Sequence, residues 1–131
     1  MIRLTILLAL LPVVGLAQTP MTAEEFEAYV VGKTLTYAEG GRIFGTEQYL
    51  SGRRVRWAFT QDICQDGTWF QRNEQICFVY DNHAEDLQCW TFWHDGGRLR
   101  AHFVGDPDGH ELTEVEQSQT PLHCAGPDVG A

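Results

Sequence analysis

The side chains with the chemistry to act sit in a few places along the chain. His94 and His102 flank an Asp95-Gly96-Gly97 turn signal. Strands meeting at that turn bring the two imidazoles toward each other with Asp95 beside them, and they form the candidate polar site. Their spacing matches neither H-x-x-x-H nor C-x-x-C, and tetrahedral zinc needs three or four converging ligands. No metal or other cofactor is therefore expected. Ser51 and Ser118 lie in a turn and in the tail, neither within a G-x-S-x-G elbow. The carboxylate pairs Asp106/Asp108 and Glu111/Glu114 read as a solvated acidic face, and no catalytic residue is assigned.

Four cysteines are present, Cys64, Cys77, Cys89 and Cys124. An even number in an oxidising compartment implies two disulfides, with three connectivities open. Hairpin arithmetic favours one of them. A loop over 81–86 centred near residue 83 sets Cys77 opposite Cys89, close enough to bridge. That leaves Cys64 to pair with Cys124 and clamp the tail. With all four sulfurs engaged, no thiolate remains for nucleophilic catalysis.

Aromatic residues are the more unusual feature. Trp69, Phe78, Trp90, Phe92 and Trp93 form the candidate binding surface, with other aromatic side chains assigned to core packing. Trp90 and Trp93 are three apart on one predicted strand and so point to opposite faces. They cannot both line one core.

These side chains need a scaffold, and the sequence describes a β meander. Thr22-Ala23-Glu24-Glu25 reads as a capping box, and Phe26, Tyr29 and Val30 form one apolar stripe, predicting a short helix over 23–31 that stops at Gly32. The period then changes to two. Strands are predicted over 34–37, 46–50, 54–60, 68–71, 75–80, 88–93, 98–104 and 110–115. Val55, Trp57 and Phe59 give the cleanest inward alternation. Asp66-Gly67 is read as a turn in a loop over 62–67, and 116–131 as an irregular tail held by Cys124. Seven or eight short antiparallel strands argue for a small barrel or strongly curved sheet with the helix at one end, the alternative being a two-sheet sandwich.

The first seventeen residues have a different character. One positive charge at Arg3, an apolar run from Leu4 to Leu11, and small residues at Gly15 and Ala17 have the order of a cleavable signal peptide. The run is shorter than the roughly 20 residues of a membrane helix, so no stable membrane insertion is expected. Residues 18–131 then form a single disulfide-bearing domain, periplasmic or secreted and monomeric. The net charge of −9 repels phosphate backbones and excludes nucleic acid as a partner class.

Gly67-Thr68-Trp69-Phe70, Ile76-Cys77-Phe78-Val79-Tyr80, Cys89-Trp90-Thr91-Phe92 and Asp95-Gly96-Gly97 together resemble small exported proteins of Gram-negative bacteria grouped as domains of unknown function. The similarity spans 32–104, including Gly45-x-Glu47-x-Tyr49 and Trp57. It implies an exported β meander with a Cys–Cys hairpin and brings no catalytic residue. The expected function is non-enzymatic binding or an accessory role in the envelope, through the aromatic sheet surface or a cavity. The partner would be an envelope protein or a small apolar molecule. The alternatives are an enzyme acting on envelope polymers through carboxylates and His94 or His102, and an inhibitor of an envelope protein.

Overall fold

A computed structural model describes residues 9–12, 18–59, 63–106 and 108–124. The segment read as a signal peptide lies outside the described residues except for 9–12. Eight antiparallel strands follow one another around a closed barrel. They are β1 (Thr34–Glu39), β2 (Arg42–Leu50), β3 (Arg54–Ala58), β4 (Cys64–Arg72), β5 (Gln75–Tyr80), β6 (Gln88–Asp95), β7 (Arg98–Phe103) and β8 (Glu111–Ser118). Pairing of β8 with β1 closes the ring, with Thr34 opposite Ser118 and Ala38 opposite Thr113. Closure leaves no strand edge unpaired. Of the two expected architectures, the structure is the barrel with one helix, not the sandwich.

Helix α1 (Ala23–Val30) plugs one end. Its capping box is complete: Thr22 Oγ1 accepts from the Glu25 amide at 3.2 Å, and Glu25 Oε1 accepts from the Thr22 amide at 3.2 Å. Two of the amides a helix start leaves orphaned are thereby satisfied. The buried stripe Ala23, Phe26 and Val30 faces the barrel interior. Phe26 is fully buried, its ring edge-on to Trp69 at 5.1 Å and to Tyr49 at 5.6 Å. Gly32, at φ 79°, turns the chain out of the helix, and its amide donates to the Tyr49 carbonyl at 3.0 Å. The plug is thus tied to the end of β2.

Element bounds shift by a few residues in places, with β2 beginning at Arg42 rather than Thr46 and β3 ending at Ala58 before Phe59. Two shifts change the reading of a segment. Residues 64–67 belong to β4, not to a loop. Asp66 faces Arg56 across the β3–β4 ladder and accepts from its Nε at 2.7 Å. A side chain at Gly67 would collide with the β5 backbone, so this glycine permits close approach of two strands and makes no turn. The second correction concerns the predicted irregular tail, because β8 runs on through Glu116, Gln117 and Ser118. These polar residues carry no hydrophobic alternation. The open edge of β1 fixes them in the ladder, with Leu35 opposite Gln117.

Disulfides join Cys77 to Cys89 and Cys64 to Cys124. Cys77 lies opposite Cys89 in the β5–β6 register. Beyond β8 the chain crosses the outer wall as a strap, with the Thr120 carbonyl accepting from Thr34 Oγ1 and the Leu122 amide donating to Gln48 Oε1. Cys124 pins its end to the start of β4. Two disulfides fit an oxidising, non-cytoplasmic environment. Among the described residues no helix is long and apolar enough to cross a membrane.

Candidate functional site

Strand alternation sorts the aromatic residues before any contact is considered. Inward-facing positions on β2 are Gly45, Glu47 and Tyr49, on β3 Val55 and Trp57, and on β5 Ile76, Phe78 and Tyr80, all buried. Toward the helix the interior is filled by Phe26, Val30, Leu35, Trp69 and Leu99. Toward the other end it is not filled. A cavity of about 60 Å³ lies there, walled by Tyr37, Phe44, Tyr49, Trp57, Phe59, Phe78, Tyr80, Trp90 and Phe92 together with Glu47, Gln65 and Gln88. One ordered water needs roughly 10–15 Å³, so this is space for several waters or one small organic group. It falls short of the ~300 Å³ at which pockets for drug-sized ligands begin.

The mouth lies between the β1–β2, β3–β4, β5–β6 and β7–β8 connections, opposite the plug. Phe44, Trp57 and Phe59 form a cluster there, ring centroids 5.2–5.7 Å apart. Phe59 is 54% exposed and reaches solvent, while Trp57 is 7% exposed. Gly45 makes room for the Trp57 indole, since a Cβ at that position would fall within the ring. Trp90 packs edge-on against Phe103 at 4.9 Å on the far side.

Glu47 is the polar centre of the cavity. It sits opposite Leu35 on β1 and Trp57 on β3, and is 2% exposed. Tyr80 donates its hydroxyl to Glu47 Oε1 at 2.9 Å. Among the described residues Oε2 is buried without a hydrogen-bond partner. Burial pushes the Glu47 carboxyl well above its ordinary range, against a smaller downward pull from the Tyr80 hydrogen bond. Tyr37 and Tyr49 share a hydroxyl–hydroxyl bond at 2.8 Å beside it. Burial likewise raises the pKa of Tyr37, Tyr49 and Tyr80, so these phenols stay neutral. The cavity therefore offers apolar ring faces, neutral hydroxyls, and one carboxyl oxygen with its hydrogen-bonding capacity unused.

The five aromatic residues singled out from the sequence divide. Phe78, Trp90 and Phe92 line the cavity. Trp69 is core, packed under Phe26 at the plugged end. Trp93 points outward, with the Arg100 guanidinium over its ring at 4.8 Å. The opposition of Trp90 and Trp93 follows from alternation, as the sequence implied.

The histidine pair does not assemble. Register sets His94 opposite Leu99 and His102 opposite Thr91, three positions apart on opposite faces. His94 lies beyond the plugged end against the Tyr29 ring, centroids 5.2 Å apart. His102 lies against Gly109 on the outer wall. A tight turn at Gly96-Gly97 pairs Asp95 with Arg98, and an even separation of eight residues across it cannot bring both imidazoles to one cross-strand position. Elsewhere, His83, Glu85 and Asp86 gather ligand atoms within 4.8 Å of one another on the exposed β5–β6 loop.

Glu47, Tyr37, Tyr49 and Tyr80 were not identified as site residues from the sequence. The signal was present in Glu47-x-Tyr49, because alternation puts a carboxylate on the same face as a large aromatic that must be inside. Among the described residues, paired acids do not converge at the cavity. Among the described residues Glu47 is the one acidic side chain lining the cavity. The other buried acid, Glu114, lies beneath the helix and is saturated with donors: Tyr29 Oη at 2.7 Å, the Leu99 amide at 3.2 Å and Gln117 Nε2 at 3.2 Å. Comparison of the chain with protein-family models, curated proteins and solved structures finds no match.

Proposed function

We propose that this is an exported binding protein of the bacterial envelope, which takes a small, largely apolar molecule through the barrel mouth opposite the helix. The observation that carries this reading is the unfilled aromatic space around a carboxyl oxygen without a partner. A barrel selected only for stability fills such space with aliphatic side chains, since buried polar groups are costly without partners. Eight strands enclose an interior suited to holding one small ligand. The volume argues for a molecule of few atoms, or for insertion of one end of a longer molecule.

The test is native mass spectrometry of the protein after exposure to envelope extract. A bound small molecule, released on denaturation and absent from Ala101→Leu, supports the reading. Ala101 is a buried lining residue, and leucine there takes up the free space. Recovery of no adduct from the wild-type protein removes it. A second reading rests on Ile43, Phe59 and Ile63, 64%, 54% and 72% exposed near the mouth. An exposed apolar rim suits a protein partner. Protein captured by the wild type and lost on Ile63→Ser, with an empty cavity, favours that alternative.

A further inference from the structure

We infer that the cavity is built for an organic ammonium: a small amine whose cationic head pairs with Glu47 Oε2 while its carbon chain lies among the ring faces of the mouth. This rests on the binding-barrel reading and specifies its ligand class. Three independent features converge on it.

Glu47 provides the first. Glu47 lines the cavity, and its Oε2 is buried with no hydrogen-bond partner among the described residues, while Oε1 is held by Tyr80. In the empty barrel burial holds the proton on this carboxyl; an entering ammonium favours the ionised form, the proton leaves to solvent, and Oε2 then accepts from the ligand. An N⁺–H group satisfies that oxygen more strongly than a neutral donor does.

The walls provide the second. Tyr49, Trp57 and Tyr80 surround the carboxyl with π systems, and ring faces attract ammonium through the quadrupole. Among the described residues no lysine, arginine or histidine lines the cavity, so no resident cation competes for the carboxyl. An anionic ligand would meet only the carboxyl and the negative ring faces, and is disfavoured on both counts.

Long-range charge provides the third. Among the described residues, the connections framing the mouth and the strand ends beside them carry Glu39, Asp81, Glu85, Asp86, Asp106 and Asp108. The basic or titratable residues there are Arg42, His83 and His110. With a chain charge of −9, this balance draws cations toward the opening and repels anions.

The experiment compares three probes of nearly equal size on the folded, disulfide-bonded protein: n-butylammonium, 1-butanol and butyrate. Binding is followed by tryptophan fluorescence, because Trp57 and Trp90 line the space. The expected order is butylammonium about tenfold or more tighter than 1-butanol, with butyrate weakest. Glu47→Gln should narrow the cation preference to within about twofold. If 1-butanol binds as well as butylammonium, the ammonium assignment is overturned and the binding barrel stands. A response to none of the three overturns the assignment, and together with an empty protein from envelope extract it removes the binding reading as well. The wild-type comparison decides the matter even if the variant folds poorly.

Discussion

Replacing Glu47 by Gln should change how stability depends on pH. Glu47 is 2% exposed, one of its oxygens lacks a partner, and burial pushes its carboxyl well above the ordinary 4.5. In the unfolded chain the same carboxyl is solvated and loses its proton near the ordinary value. Below about pH 4.5 both states hold the proton, and Glu47 contributes no pH dependence. Above it the unfolded chain releases a proton that the fold retains. Each further pH unit then costs the fold about 1.4 kcal/mol, up to the raised folded value.

Glutamine is neutral throughout, nearly isosteric, and keeps an oxygen for Tyr80. The unmatched amide group adds an offset that does not vary with pH, so slope is the quantity to read. The stability difference between Glu47→Gln and wild type should widen by about 1.4 kcal/mol per pH unit above the ordinary carboxyl range, for as long as the folded carboxyl keeps its proton. For a domain near 100 residues, each such pH unit is a gain of roughly 6–10 °C in relative Tm. The assay is urea unfolding of both proteins by tryptophan fluorescence at half-unit pH steps. Other carboxylates titrate in both proteins and cancel in the difference. Parallel stability curves from pH 4 to 7 would refute the reasoning, because Glu47 would then ionise as readily inside the barrel as in water.

Other consequences follow from the same contacts. Phe26→Ala removes the fully buried ring at the centre of the plug and should cost about 3–5 kcal/mol, read as a lower urea midpoint. Replacing Cys64 and Cys124 by serine should destabilise by about 4 kcal/mol, against about 3 kcal/mol for the Cys77–Cys89 pair, because the first closes 60 residues and the second 12. Equal losses, by unfolding under non-reducing conditions, would set the loop-entropy argument aside. His110, bonded to Asp106 and 3.4 Å from Glu39, should titrate above its ordinary 6.5 by NMR. Its contribution to holding the β7–β8 loop against the β1–β2 turn is present below the unfolded value and lost as pH rises through the folded one. Asp106→Asn should lower the His110 midpoint, and an unchanged midpoint would place the cause elsewhere.

Much of the fold was legible because the sequence repeats one signal. Val55 and Trp57 alternate inward as read, although Phe59 lies past the end of β3 and is exposed; the glycine pairs mark tight turns, and the Thr22–Glu25 box marks the helix. The two errors share a cause. Gly67 and the polar end of β8 belong to strands because of neighbouring strands, Tyr80 on one side and Leu35 on the other, and local sequence does not report on neighbours. The site was harder to read. Alternation separates Trp90 from Trp93, but it does not say which inward aromatics meet a side chain from α1. Trp69 meets Phe26 and becomes core, whereas Trp90 packs against Phe103 of β7 rather than against the helix and lines a cavity. A glutamate in a strand ordinarily points to water, so local sequence does not single out Glu47. His94 and His102 flank the same turn in sequence, but the β6–β7 register sets them on opposite faces.

The two interior acids provide a further discrimination between support and function. Glu114 is 4% exposed and engages three donors, one of them the Leu99 backbone amide. Its hydrogen bond and charge also hold Tyr29, whose hydroxyl is pushed up to about 12, chiefly by burial. Glu114→Ala strands a buried amide and frees Tyr29 from the barrel, and should cost about 2–4 kcal/mol. Glu47 is buried as deeply, but has one donor and one idle oxygen. Glu47→Leu leaves the buried Tyr80 hydroxyl without its acceptor. It also removes a buried carboxyl with an unpaired oxygen whose retained proton costs the fold stability at neutral pH, and the net effect should be neutral or slightly stabilising. Opposite signs for two equally buried glutamates, measured by urea unfolding, would mark Glu114 as part of the scaffold. They would mark Glu47 as a residue whose presence the fold alone does not explain. Equal destabilisation would instead show that both acids serve the barrel, and the idle oxygen would lose its functional meaning.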